Sequence, residues 1–479
     1  MILAYDIGTT FLKAALVSID GKMISRAQVP VRMVETTESG RYECDPNTWL
    51  TGMAVATAQL GVREHGRIRA VVVSANGPTL VAVDAAGNPL DFAMSWMDRR
   101  AGEEADLISE HTDAPLDASF YLPKALWIMR HKPEIYARTR YFLPCAEYMS
   151  FFLTGNAVRI IPTHLFKEFF WNEGAVARIR LDPDKLPPFV DVGEHVGSVR
   201  AEAEEMLGIP AGLPVIAGGP DFIMSILGSG ATETGRLCDR AGTSEGINLC
   251  WSAPVHDKRL LCFPHIARGH FNVSAMVTSS GLALDWAART LGPEGGGVDS
   301  LVKEAALAAP GSGHLLFLPF LVPERFPIWN PDIRGAFLGL TLEHGRREMM
   351  RAVVESTGLA VRMAMAAMAE NGCHISDIRV TGGLARLPLW CQTRADIAGV
   401  RVLVTEQEDA DLVGNACVGF TGVDEFESLG EAAESLVRVQ RTYTPSPSAR
   451  GLYDGLFAAF TRACAELGDT LRGPTAGSA

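Results

Sequence analysis

The sequence has no C-x-x-C pair. Its nine cysteines (44, 145, 238, 250, 262, 373, 391, 417 and 464) are scattered, which excludes a zinc cluster or redox dithiol built on close spacing. No stretch approaches the roughly 18 unbroken apolar residues of a membrane span. The start, Met1-Ile2-Leu3-Ala4-Tyr5-Asp6, has no basic segment and reaches an acid too early for a signal peptide. Lys and Arg number 43 against 56 Asp and Glu, a formal net charge of -13. That balance speaks against nucleic-acid and membrane-surface partners, and an anionic ligand must be met by local, positioned donors. Neither G-x-G-x-x-G after a strand nor G-x-x-x-x-G-K-[ST] occurs, so dehydrogenase and P-loop readings have no support. What these absences leave is a soluble cytoplasmic protein, and 479 residues suffice for two or three domains.

What is present is an α/β alternation. Residues 2–7 read as an apolar strand, and 11–19 and 23–31 as two more around Asp20-Gly21, an antiparallel meander. Helical spacing follows over 46–63, then strands at 68–73 and 80–83 separated by Ser74-Ala75-Asn76-Gly77-Pro78. Trp96-Met97-Asp98-Arg99-Arg100 opens an acidic helix, and 121–131 and 142–153 read as helices. In the second half, Leu237-Cys238-Asp239 and Ile247-Asn248-Leu249-Cys250 are strands around a small polar turn, repeating in outline the opening at Asp6. Residues 343–371 form a long helix rich in Ala and Met, and 379–381 end a strand in a double glycine before a helix that starts near Pro388. A final helix spans 449–471.

Three small-residue turns stand at strand ends: Asp6-Ile7-Gly8-Thr9-Thr10 with Lys13 close behind, Gly242-Thr243-Ser244, and Gly382-Gly383. Glycine lets a backbone approach a ligand closely, and hydroxyl and N–H groups bind phosphate oxygens. Two domains carrying such turns are expected to hold the phosphates and base of a nucleotide. Ala217-Gly218-Gly219-Pro220-Asp221 places an acid between the apolar strand 213–216 and the helical run 222–227. At a helix N-terminus the dipole favours the charged carboxylate, which suits a base; a plain helix cap is the alternative.

These residues, in this order, resemble the FGGY family of carbohydrate kinases, members of the actin-like ATPase superfamily. The similarity runs through Asp6 to Thr10 with Lys13, Trp96 with Asp98 and Arg100, Leu153-Thr154-Gly155, Leu186-Pro187-Pro188, Gly218 to Asp221 and Gly242-Thr243-Ser244. It continues through Pro323-Glu324-Arg325 with Pro327 and Trp329, Arg334 to Phe337, and Gly382-Gly383 with Pro388, Trp390, Gln392, Ala395-Asp396 and Gly399. The resemblance implies two ribonuclease-H-like domains flanking a central catalytic cleft, 1–240 for sugar and base and 241–479 for nucleotide. It implies ATP- and magnesium-dependent phosphorylation of a sugar or polyol such as a ketopentose, pentitol or tetritol. Asp221 would be the general base and Asp6 would organise magnesium. Thr9, Thr10 and Lys13 would lie near the transferred phosphate, Gly242, Thr243 and Ser244 would hold phosphates, and Gly382-Gly383 would flank the adenosine. Asn76, Gly77, Trp96, Asp98 and Phe222, with Asp221, would bind the sugar. A homodimer is the family expectation.

The departures fall on specificity. Gly77-Pro78 stands where xylulose kinases of the family carry Met-His, so D-xylulose is expected to be a poor substrate. Glu147 replaces an Asp ahead of the Leu-Thr-Gly turn, Leu384 replaces a third glycine of the adenosine turn, and Leu387 a Ser or Asn. Two other classes compete. A non-kinase actin-like ATPase or sugar sensor shares the fold, and Gly242-Thr243-Ser244-Glu245-Gly246 fits the nucleophile elbow of a serine hydrolase with Ser244 as nucleophile, provided a helix follows.

Overall fold

The computed structural model describes every residue except 35, 65–66, 111–115, 293–294, 323, 325–327, 329–332 and 468–479, and of 64, 164, 165, 169 and 467 it describes the backbone but not the side chains. The resemblance at Pro323, Arg325, Pro327 and Trp329, and the end of the last helix beyond residue 467, lie outside the described residues. The chain divides into two compact units, one of Met1–Gly228 with Asp409–Val437 and the other of Ser229–Glu408 with Arg438–Ala479. This division differs from a single cut after residue 240: residues 229–240 go with the second unit, and 409–437 return to the first.

The first unit is built on a six-stranded sheet, in the order His195–Ser198, Pro214–Pro220, Ala70–Ala75, Ile2–Ile7, Phe11–Val17, Met23–Pro30. Ile2–Ile7 pairs antiparallel with Phe11–Val17 and parallel with Ala70–Ala75. Pro214–Pro220 extends the parallel run, and His195–Ser198 closes the edge antiparallel. The central strands are buried on both faces, and their near-continuous apolar sequences follow from that.

The second unit repeats this plan strand for strand. Arg236–Ala241 stands in the place of Ile2–Ile7, antiparallel to Glu245–Trp251 and parallel to Asp377–Thr381, with Arg401–Thr405 and the antiparallel edge Val439–Tyr443 beyond. Phe271–Val277 matches Met23–Pro30, and Leu261–Pro264 is added outside it. The helix Arg346–Glu370 is apolar enough to span a membrane by length and composition, yet 78% of its most apolar window is buried in the protein. Its Ala- and Met-rich face packs into the core of the second unit.

Two predicted helices are corrected at their starts. Residues 142–144 belong to the strand Tyr141–Pro144, which pairs with Leu80–Val83, and the helix begins at Cys145. Strand pairing overrides helical spacing there. The segment from Trp96 does not open a helix, which starts only at Gly102. The Asp98 carboxylate takes the backbone N–H of Arg100 at 3.1 Å and that of Tyr42 at 2.9 Å, a local turn that competes with helix formation.

The returning segment explains itself through a close helix contact. The helices Asp221–Gly228 and Ala410–Gly422 approach so tightly that a Cβ on Gly228 would lie 1.7 Å from the Ala410 carbonyl oxygen, and one on Gly414 2.0 Å from that of Met224. Only glycine permits this contact. Gly228→Ala is therefore expected to lower stability by about 1–3 kcal/mol, the usual cost of overpacking, read as a fall in the urea midpoint. An unchanged midpoint would contradict the packing described.

Candidate active site

The functional side chains of the first unit gather at the C-terminal ends of its parallel strands, where α/β sheets present ligand-binding groups. Asp6, next to last in its strand, is buried and accepts a hydrogen bond from Ser74 Oγ on the neighbouring strand at 2.7 Å. Asn415 donates to Ser74 Oγ and to the Tyr5 carbonyl, both at 2.8 Å, fixing the pair from the returning helix. Asp411 of that helix hydrogen-bonds Asp6. Lys13 then donates to Asp411 at 2.9 Å and lies 3.2 Å from Asp409.

Burial, followed by the Asp411 charge, raises the Asp6 carboxyl well above the carboxylate range, and Asp221 adds a smaller like-charge contribution. Burial also works against Asp411, but Lys13 and the hydrogen bond to Asp6 hold it below its ordinary value. Burial opposes the Lys13 charge too, and Asp411, Asp6 and Asp409 outweigh it, so its ammonium is held charged. Of the two hydrogen-bonded acids, Asp6 is therefore the one whose charged form is disfavoured.

Asp221 is aimed by a bulge. The register of Pro214–Pro220 against Ala70–Ala75 shifts between Ala217 and Gly219. A Cβ on Gly218 would sit 2.1 Å from the Val73 carbonyl oxygen, and Gly219 has φ +148, a conformation that favours glycine. The strand thus runs through the double glycine to Pro220, and Asp221 becomes the first residue of the helix Asp221–Gly228, its Oδ1 accepting the Phe222 N–H at 2.6 Å.

Beside it lies a recess whose walls include Asn76, Gly77, Pro78, Tyr121, Cys145 and Glu147 together with Phe166, Phe170, Trp171, Gly219, Pro220 and Phe222. The rings stack on one another: Tyr121 on Trp171 at 5.0 Å between centroids, Phe166 on Phe222 at 6.2 Å. Asn76 spends its groups on the fold, donating to the Ile7 carbonyl at 2.8 Å and accepting from Thr79 at 2.5 Å.

Asn76, Gly77 and Phe222 of the expected sugar set are brought together here; Trp96 and Asp98 are not among these walls. The Trp96 indole donates to Thr9 Oγ1 at 2.9 Å, and the fully buried Asp98 is held by Tyr42 and Arg100. Thr10, beside Thr9 in the turn after Asp6, is exposed.

In the second unit Gly242-Thr243-Ser244 is the turn between Arg236–Ala241 and Glu245–Trp251, the counterpart of Gly8 to Thr10. The Thr243 carbonyl accepts the Leu282 N–H at 3.0 Å. Gly382, at φ +86, lies against this turn, and a Cβ there would meet the Ala241 carbonyl oxygen at 2.6 Å. The two expected nucleotide turns are therefore neighbours. Leu384 and Leu387 are buried in the apolar core, which accounts for the departures from Gly and from Ser or Asn there. Ser244 leads into a strand, so the helix that a nucleophile elbow needs is missing.

Sequence reasoning missed three groups that organise these sites. Asp409 and Asp411 stand nearly 400 residues from Lys13, and nothing local connects them, although two acids at a helix start were a visible signal. Lys124 is fully buried on an otherwise apolar helix face and donates to the carbonyls of Pro78 at 2.6 Å and Ser95 at 2.7 Å; burial lowers it to about 7. Beneath the Gly242 turn, buried Arg394 donates to both oxygens of Glu245 at 2.9 Å, and Ser280 also hydrogen-bonds Glu245. A charged residue inside an apolar helical pattern was the clue for Lys124 and Arg394.

Family models for the N-terminal and C-terminal domains of the FGGY family of carbohydrate kinases match residues 1–228 and 240–423. The chain is 27% identical to a xylulose kinase of Bacillus subtilis, covering 95% of each chain, and 28% identical to a gluconokinase of the same organism, covering 91% of each. The crystal structure of gluconate kinase from Lactobacillus acidophilus superposes with a TM-score of 0.88 at 24% identity over 98% of both chains. With an actin-like ATPase fold in each half and family models spanning most of its length, the chain belongs to the FGGY family of carbohydrate kinases. Kinases of this family are phosphotransferases that use ATP with magnesium.

The two glycine turns separate experimentally. A Cβ on Gly242 meets nothing closer than the Ser244 carbonyl oxygen at 3.6 Å, an ordinary contact. Gly242→Val is therefore expected to leave the melting temperature nearly unchanged while weakening ATP binding by about tenfold or more through steric block of a phosphate, measured by calorimetry. Gly382→Ala, clashing with Ala241, should instead lower the melting temperature. Tight ATP binding by Gly242→Val would contradict a phosphate role for this turn.

Proposed function

We propose that this kinase transfers the γ-phosphoryl group of ATP to a hydroxyl of a small sugar or polyol, a ketopentose, pentitol, tetritol or similar, with Asp221 as general base. The observation that carries the reading is the placement of Asp221: it starts a helix at the end of a parallel strand, its neighbours Pro220 and Phe222 line the aromatic recess, and its charge is felt by Asp6. A hydroxyl seated in that recess would lie where a carboxylate can take its proton late in a loose transition state, and the chemistry otherwise rests on positioning and charge neutralisation. The unit holding 1–228 and 409–437 takes the acceptor in this reading, and the unit holding 229–408 takes the nucleotide through Gly242 to Ser244 and Gly382-Gly383.

Asp6 fits a hard cation by its chemistry. Among the described residues no three acids, histidines or cysteines form a complete metal cage. Magnesium keeps waters and binds through one or two carboxylates and substrate phosphates, so a single carboxylate such as Asp6 can serve it. When bound it would neutralise charge on the transferred group, with Asp6 orienting it. Lys13, engaged by Asp409 and Asp411, balances the acids that surround Asp6.

The test is a coupled ADP-release screen over ketopentoses, pentitols, tetritols, aldonates and glycerol. ADP release is expected to need an acceptor, and D-xylulose should be poor because Gly77-Pro78 offers no imidazole donor; one lost substrate hydrogen bond costs about 1–3 kcal/mol. ATP turnover that ignores every acceptor would instead identify a non-kinase ATPase or sensor.

A further inference from the structure

The aromatic recess has one acid in its wall and no described base. Glu147, in the first turn of the helix Cys145–Thr154, is 5% exposed. Its Oε1 accepts the Ile160 N–H at 3.0 Å, and among the described residues Oε2 has no hydrogen bond to another residue. Burial pushes this carboxyl up to about 7, so it is readily found in either form near neutral pH.

The described walls contain no Lys, Arg or His. The cations nearby are engaged elsewhere. Arg159 donates to the Pro187 carbonyl at 2.6 Å, with its guanidinium 3.8 Å from the Phe189 ring centroid and 5.2 Å from that of Trp171. Lys124 is tied to the carbonyls of Pro78 and Ser95, and Lys167 pairs with Glu173 at 2.8 Å. Asp221, beside Phe222 of this wall, is a further acid. A carboxylate on the acceptor would enter a recess with one acid in its wall, a second beside it and, among the described residues, no partner charge, which burial makes costly. A neutral chain of carbinol carbons meets no such penalty: its C–H faces pack on the rings and its hydroxyls can donate to a carboxylate.

We propose that Glu147 is a specificity-determining residue of the acceptor site, hydrogen-bonding an acceptor hydroxyl through Oε2, and that the recess admits uncharged polyols and ketoses while excluding aldonates. This rests on reading the recess as the acceptor site. It separates the chain from its gluconate-named relatives by the charge of the substrate, a distinction their similar identities, 27% and 28%, leave open.

The test measures kcat and KM by ADP release for matched pairs, each a neutral polyol and the aldonate of the same carbon number, with the wild type and Glu147→Gln. The amide keeps the carbonyl that holds the Ile160 N–H, so the fold is preserved, as checked by melting temperature. The wild type should prefer the best neutral acceptor over its aldonate by about a hundredfold or more in kcat/KM. Glu147→Gln should raise KM for that acceptor about tenfold with a smaller effect on kcat, leave KM for ATP unchanged, and narrow the discrimination against the aldonate. If Glu147→Gln changes neither acceptor KM nor discrimination, Glu147 is only an anchor for Ile160 and the proposal is wrong. Gluconate turned over as well by the wild type as the best neutral acceptor overturns this proposal and leaves the kinase reading intact. ATP turnover indifferent to all acceptors overturns both.

Discussion

The first unit depends on compensating three buried acids with Lys13 and, at Asp409, with Arg26 at 2.7 Å. Asp6, Asp409 and Asp411 surround Lys13, and removing one partner from such a cluster leaves a buried charge without its counterpart, far costlier than the cluster is stabilising. Much of the chain's path serves that arrangement. Asp409 and Asp411 arrive on a segment that leaves the second unit to rejoin the first, and their helix also supports the helix that begins at Asp221 through the Gly228 and Gly414 contacts. The helix that starts at Asp221 and the acid cluster are thus held by the same element, so the geometry at Asp6 and the aim of Asp221 are set together.

The duplicated sheet carries different residues at matching places in its two copies. In the first unit the turn after the central strand is preceded by a carboxylate, Asp6; at the matching place the second unit has Arg240 before Gly242-Thr243-Ser244. The third parallel strand leads into Asp221 in the first unit, whereas its counterpart Arg401–Thr405 leads to the link toward Asp409. The acids Asp6, Asp221, Asp409 and Asp411 are concentrated in one copy. Small turns suited to phosphates stand in the other, stiffened from below by the Arg394–Glu245 pair.

Much of this was legible in the sequence. The meander, the two polar turns and the long core helix follow from hydrophobic period and turn residues, and Asp221 stood out as an acid after a double glycine at a strand-to-helix junction, where a plain helix cap was the competing reading. What was not legible depended on tertiary partners. The strand Tyr141–Pro144 looked helical because only its pairing with Leu80–Val83 makes it a strand. The hold of Tyr42 on buried Asp98, added to that of its neighbour Arg100, likewise joins residues with no local link in the sequence pattern. The return of 409–437 to the first unit could not be read locally, because the partners of its acids and glycines, Lys13 and the helix Asp221–Gly228, lie far away in sequence.

The most direct measurement is the steady-state kinetics of Asp221→Asn with the best acceptor. Asparagine can still accept the Phe222 N–H through its carbonyl oxygen, so melting temperature and ATP affinity should stay close to wild type, but it cannot take the hydroxyl proton. The predicted result is a fall in kcat of about 10²–10⁴ with little change in acceptor KM. A variant that keeps more than about a tenth of wild-type kcat would contradict the assignment of Asp221 as the base.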